Sequence, residues 1–105
     1  MIDIAYDKDK AITITGHAGY APKGQDIVCA AVSTAYHVLT ALPGIGYCDK
    51  DDKCKAWAII DDESVRTWIN TIADVLKRIA LSYPDHIRYV ECSIVPETDC
   101  LYFTN

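Results

Sequence analysis

A chain of 105 residues, half of them apolar, is long enough for one modest core and too short for a second domain. Its net charge of −5 speaks against a nucleic-acid surface, which needs clustered Lys and Arg, whereas Lys8, Lys10, Lys23, Lys50, Lys53 and Lys55 are mostly interleaved with aspartates. No apolar stretch approaches the ~18–20 residues that cross a bilayer, and the N-terminus opens on strand-like alternation rather than a basic flank and apolar run, so a cytoplasmic protein without membrane contact is expected.

Ile2, Ile4 and Tyr6 alternate with Asp3 and Ala5, and Ile12 and Ile14 with Thr13 and Thr15, which predicts a hairpin turned by Asp7-Lys8-Asp9-Lys10. A glycine-punctuated loop then leads to a helix from about Ile27 to Leu42, stopped by Pro43-Gly44. On a wheel of 100° per residue, Ile27, Ala31, Ala35, Val38 and Leu42 form its expected core side, opposite a stripe of Cys29, Ser33, Tyr36, His37 and Thr40. Ala56–Ile60 reads as a strand, and the carboxylates of Asp61, Asp62 and Glu63 suit the helix start that follows. From Ser64, residues Val65, Trp68, Ile69, Ile72, Val75, Leu76, Ile79 and Tyr83 recur at three- and four-residue intervals, predicting a second helix packed by one stripe.

Pro84-Asp85 ends that helix, and His86 beside Asp85 reads as part of a solvated turn. Tyr89–Val95 has strand composition, and Leu101-Tyr102-Phe103 forms a last short strand after a turn at Pro96–Asp99. The expected architecture is one α/β domain of the α+β type, with two helices on a small mixed or antiparallel sheet.

Five cysteines, at 29, 48, 54, 92 and 100, make an odd number with no C-x-x-C, so no disulfide framework is expected. Cys48 and Cys54 flank an Asp/Lys loop but lack the second ligand pair of a zinc site, so no metal and no cofactor is expected. Cys92 and Cys100 are expected to face a core as thiols.

The chemistry-bearing stretch is Gly16–Ser33, GHAGYAPKGQDIVCAAVS. Asp26 is the best N-cap for the first helix, which would put Cys29 at its third position, where unpaired amides and the helix dipole favour thiolate. An imidazole able to take the thiol proton would complete a Cys–His pair, and His17 can serve if Gly16, Gly19, Pro22 and Gly24 let the loop fold back. His37, eight residues along the helix from Cys29, lies roughly 12 Å away along its axis, out of hydrogen-bond reach. Taken singly, a cysteine in an alanine-rich helix is most often a small buried hydrophobe, and a histidine after a strand a turn residue.

The string GHAGYA followed by G-x-DIVCAAVS resembles the signature of the bacterial ribosomal-processing cysteine protease family, Prp, over Met1 to about Tyr83. The resemblance implies a thiol endopeptidase that removes a short N-terminal extension from a large-subunit ribosomal protein and works as a homodimer. It places the catalytic pair on His17 and Cys29 and supporting positions on Gly16, Asp26 and Ser33. The loop Ala18–Gln25, with Gly19, Tyr20 and Gly24, corresponds to a mobile cover over the site. Gly44–Lys55 is more polar than the family's strand-rich equivalent, which implies loss or replacement of part of the sheet, and Ile87–Asn105 forms a tail not associated with the family. The expected partner is a peptide segment of a protein substrate, a ribosomal protein N-terminus.

Three other readings stand beside this one: a catalytically idle peptide-binding or assembly module in the same fold, a divergent protease cutting a non-ribosomal protein, and a redox-sensing thiol protein with a resolving cysteine near Cys29.

Overall fold

The computed structural model describes residues 1–17, 19, 21, 26–50, 55–94 and 102–103. The predicted alternation folds as β1 (Ile2–Asp7) and β2 (Ala11–Gly16), paired antiparallel with Ile4 opposite Ile14 and Tyr6 opposite Ile12. Successive strand residues point to opposite faces, so Ile2, Ile4, Tyr6, Ile12 and Ile14 share one face and Asp3, Ala5, Asp7, Ala11, Thr13 and Thr15 the other.

Then follow α1 (Ile27–Thr40), β3 (Ile45–Lys50), β4 (Lys55–Ile60) and a single 3-10 turn at Glu63–Val65, capped by the Asp62 carboxylate. Last come α2 (Arg66–Ser82), β5 (Ile87–Glu91) and β6 (Tyr102–Phe103). The strands form one sheet in the order β5-β1-β2-β4-β3-β6, parallel between β1 and β5 and antiparallel elsewhere. Both helices pack on one face. There Val28, Val32 and Leu39 of α1 and Ile69, Ile72 and Leu76 of α2 join Ile2, Ile4, Ile12, Ile45 and Ala58 in a single buried cluster. This is the α+β domain expected from the pattern.

The segment Gly44–Lys55 departs from the expectation of a lost sheet portion. It carries β3, six residues paired with β4 from Ile45 opposite Ile60 to Lys50 opposite Lys55. Ile45 is buried against the helices and Cys48 on the opposite face, so alternation is present, but the small and polar residues between them hide it in the sequence.

The core face of α1 also differs. Val28, Val32, Ala35, Tyr36 and Leu39 are buried, whereas Ile27 and Val38 are 57% and 48% exposed. Tyr36 decides the rotation: its hydroxyl lies 3.1 Å from the Cys48 carbonyl and 3.3 Å from that of Trp57, so its polar tip is satisfied inside the core. Burying side chains as large as Tyr36 and Leu39 outweighs burying Ala31, by about 1.5–3 kcal/mol for each large residue. In α2 the stripe holds at Ile69, Ile72 and Leu76, but Trp68 and Val75 lie toward solvent and Ala73 and Ala80 take the inner positions.

Cys92 is exposed and not in a core. Cys48 is disulfide-bonded, although no disulfide framework is expected from the sequence, while Cys29 and Cys92 carry no disulfide. Cys54 and Cys100 lie outside the described residues. Among the described residues no helix is long and apolar enough to cross a membrane.

The hairpin turn is tied to α2 by a polar network. Asp9 has a φ of 64°, a region that Asp tolerates better than most residues. Asn70 Nδ2 donates to Asp9 Oδ1 at 2.6 Å, and the buried Tyr6 hydroxyl donates to Asn70 Oδ1. Asn70→Ala removes both partners at once and is expected to lower stability by about 1–3 kcal/mol in urea denaturation.

Burial raises the Tyr6 phenol above its ordinary range and, with the nearby Glu91 charge, pushes Tyr89 up to about 12. An unfolded tyrosine ionises near ~10, so above that pH the unfolded chain binds fewer protons than the folded one. The contribution of these two tyrosines to stability is therefore expected to be constant up to about pH 10 and to fall as pH rises toward 12. Tyr89→Phe should shrink that fall, read from urea midpoints at stepped alkaline pH.

Candidate active site

β2 ends at Gly16, which pairs with Ile2 and has a φ of +90°. A β-carbon there would collide with the Met1 carbonyl oxygen, so glycine alone allows the backbone to leave the strand at this point. His17 follows directly and is exposed. Gly19 has a φ of +66° with open space around it. Tyr20 and Gly24, expected to line a substrate loop, lie outside the described residues, as do residues 18, 22, 23 and 25.

The chain re-enters regular structure at Asp26. Its Oδ1 accepts from the backbone N–H of Val28 at 3.0 Å and of Cys29 at 2.9 Å, and its carbonyl oxygen accepts from Ala30 at 3.0 Å. The predicted N-cap is thus present, and Cys29 is the third residue of α1. Cys29 is half-buried, its side chain packed against the edge of the core cluster. Ser33, one turn further, is exposed.

Topology brings His17 and Cys29 to the same end of the sheet. The C-terminal end of α1 leads through Ala41–Gly44 into Ile45, whose partner Ile60 lies at the hairpin-turn end of the sheet. The start of α1 therefore lies at the opposite end, where β2 finishes at Gly16. His37 is not part of this group: it sits exposed in the last turn of α1, its ring edge-on to Tyr36 with centroids 5.8 Å apart. His86 is at the Gly16 end, because its carbonyl accepts from the N–H of Ile2, the residue opposite Gly16. Sequence reasoning left His86 in a solvated turn; only the parallel pairing of β5 with β1, which has no local signature, brings it there.

The Asp26 cap changes the electrostatics expected from sequence. The amides of Val28 and Cys29, which would have favoured a thiolate, are bonded to a carboxylate. Those two amides are therefore already engaged and do not point at an external anion. Among the described residues no group of three or more His, Cys, Asp or Glu is placed to hold a metal ion.

A thiol on the first turn of a helix, with a histidine held at the same sheet end by a glycine, is a layout suited to thiol hydrolysis, and the chain falls in the class of cysteine proteases. It belongs to the cysteine protease Prp family, whose model matches residues 1–88. The fold is shared with the ribosomal processing protease Prp from S. aureus in complex with a covalently linked product peptide. The two are 22% identical over 87% of this chain and 97% of that one, with a TM-score of 0.69. The same protease with a substrate peptide gives 21%, 87%, 97% and 0.64, and SMU.848 from Streptococcus mutans gives 23%, 86%, 90% and 0.65. No curated protein matches the chain.

Two substitutions test how the site is held. Asp26→Ala should lower stability by about 1 kcal/mol through loss of the cap, with Asp26→Asn retaining most of it. Gly16→Ala should cost about 1–3 kcal/mol, because the Met1 carbonyl cannot move without breaking the β1–β2 register. Urea midpoints and the alkylation rate of Cys29 in each variant are the readouts.

Proposed function

We propose that this chain is a cysteine endopeptidase that trims an N-terminal extension from a ribosomal protein, with His17 and Cys29 as its catalytic pair. What supports the reading is the Asp26 cap that sets Cys29 in the first turn of α1, in a chain of the Prp family whose β2 ends at Gly16 directly before His17. The S. aureus structures, with substrate and product peptides, support a peptide as ligand.

His17 takes the thiol proton and the Cys29 sulfur attacks the scissile carbonyl carbon, giving a tetrahedral oxyanion. Its collapse breaks the C–N bond, and the leaving amine takes the proton from His17, leaving a thioester on Cys29. Water, deprotonated by His17, then attacks the thioester carbonyl, releasing the acid and restoring the thiol. The amides of Val28 and Cys29 are engaged by Asp26, so the oxyanion donors come from other backbone amides. Asp26 and Gly16 position the pair, and Ser33 lines the helix beyond it. The protein acts in the cytoplasm as a homodimer, needs no cofactor and finds basic ribosomal proteins aided by its acidity.

The test is time-resolved mass spectrometry of a ribosomal-protein N-terminal extension peptide with the intact chain and with Cys29→Ala and His17→Ala. Cleavage at one bond, reduced on the order of 10³-fold or more in each variant, is the expected result. Cleavage that persists in Cys29→Ala would overturn the assignment of the nucleophile. Binding of equal strength with no cleavage by any of the three would support an idle peptide-binding module instead.

A further inference from the structure

In a chain of which 24% is charged, α1 has no Asp, Glu, Lys or Arg, and none occurs from Ile27 to Leu42. Much of this helix nevertheless meets solvent: Ala30, Ser33, Thr34 and His37 are exposed, and Ile27 and Val38 are 57% and 48% exposed. The outer face of a surface helix ordinarily carries charge. The neighbouring helix extends this surface, because Trp68 and Val75 of α2 are 51% and 39% exposed.

The exposed residues belong to matching stripes. Ile27, Ala31, Thr34 and Val38 repeat at i, i+4, i+7 and i+11, which holds them within about 60° of one another on the wheel of α1. Trp68, Ile72, Val75 and Ile79 do the same on α2. On each helix the stripe lies roughly 100° from the centre of the buried side, in the same rotational sense. The helices run antiparallel and pack on each other, α1 against β3 and α2 against β5. β4 is parallel to β5, and with the usual right-handed crossover through α2 these equal rotations turn the two stripes toward each other. Ile72 and Ile79 form the base of the seam, packed in or against the core cluster, and Ile27, Val38, Trp68 and Val75 form its open rim.

We propose that this uncharged helix layer is the contact between two copies of the chain, packed about a two-fold axis. Charge selects the occupant. Each copy carries −5, so two copies repel unless they meet on a face free of unpaired carboxylates. Where α2 borders the face, its acidic groups are paired within the copy, Asp74 with Arg78 at 3.0 Å and Glu63 with Arg66. A basic partner would be drawn instead to the hairpin-turn end of the sheet, where Asp7, Asp9, Asp61 and Asp62 gather. Helices of 14 and 17 residues are about 21 and 25 Å long, and side by side at ~10 Å they give a face of about 20 by 25 Å, comparable with the ~600 Å² per partner at which specific interfaces begin. The inference rests on the homodimer of the proposed function and supplies its contact; peptide cleavage is a separate measurement, so the two can fail independently.

Sedimentation equilibrium of the full chain, from low micromolar to submillimolar concentration, is the test. A dimer is expected, and Ile27→Glu and Val38→Glu should each raise its dissociation constant about 30-fold or more by placing a carboxylate in the contact. Leu81→Glu, on the opposite side of α2, and Val90→Glu, on β5, replace side chains that are 72% and 45% exposed and should leave it unchanged. Urea midpoints show whether each variant is folded. A readout that needs no variant is dilution of the unaltered chain, in which tryptophan emission should move to the red as Trp68 is uncovered while Trp57 stays buried. A chain that remains monomeric throughout overturns the proposal, and so does a dimer weakened by Leu81→Glu or Val90→Glu but not by Ile27→Glu and Val38→Glu. If a monomeric chain binds a ribosomal-protein extension peptide and Val38→Glu weakens that binding, the face is a peptide site instead.

Discussion

The pairing of β1 with β2 sets the geometry on which the rest of the molecule depends. With Ile2 opposite Gly16, five apolar side chains of the hairpin meet the helices, and the backbone leaves β2 where the Met1 carbonyl occupies the space a side chain at residue 16 would need. A slip of β2 by one residue would turn Ile12 and Ile14 to the outer face and shift His17 along the sheet. The same register aligns Asp7 and Ala11 for the C-terminal segment and, through β1, fixes where β5 and His86 lie. Core packing and placement of the candidate site thus share one constraint. Its energetic weight comes from several fully buried side chains, so the site is held by an arrangement that a single surface change will not shift.

Much of this was readable where the physics is local. The Ile2–Tyr6 alternation, the Asp26 cap and the three- and four-residue spacing of Ile69, Ile72 and Leu76 depend on neighbours within a few residues, and each is present in the structure. The failures are where a distant partner decides. β3, with Gly46 beside Ile45 and the polar Asp49 and Lys50 at its end, carries little strand signal of its own and becomes a strand because β4 pairs with it. Tyr36 turns inward because the carbonyls of Cys48 and Trp57, on two other strands, accept its hydroxyl. Trp68 is large and apolar, yet the space it would fill is taken by residues that only the packing of α1 against α2 selects. Of the candidate site, the Asp26 cap was legible because it is local, while the end of the sheet at which β2 and α1 place His17 and Cys29 follows from chain topology.

α1 carries two demands along one axis. Its middle must bury Val32, Tyr36 and Leu39 against the sheet, and its first turn must present Cys29 at the edge of that core. Rotating the helix to bury Ile27 and Val38 would pull Tyr36 away from its carbonyl partners. The exposure of those two apolar residues is therefore a consequence of anchoring the helix through Tyr36. The half-buried position of Cys29 follows from the same rotation: it is one residue from Val28, which is fully covered, and one from Ala30, which is exposed.

The Asp26 cap sets a limit on how this helix start can act in chemistry. A helix N-terminus can offer its first amides to an anion, but here a carboxylate fixed by the chain already takes two of them. That arrangement stabilises the helix and orients Cys29 at the cost of placing a negative charge beside the thiol. The base proposed for Cys29 lies outside the helix, on His17, which follows Gly16 at the end of β2. The cap fixes the start of the helix and with it the position of Cys29. In the proposed mechanism the nucleophile and the base thus come from two separate elements, the capped start of α1 and the end of β2, each fixed by its own backbone contacts.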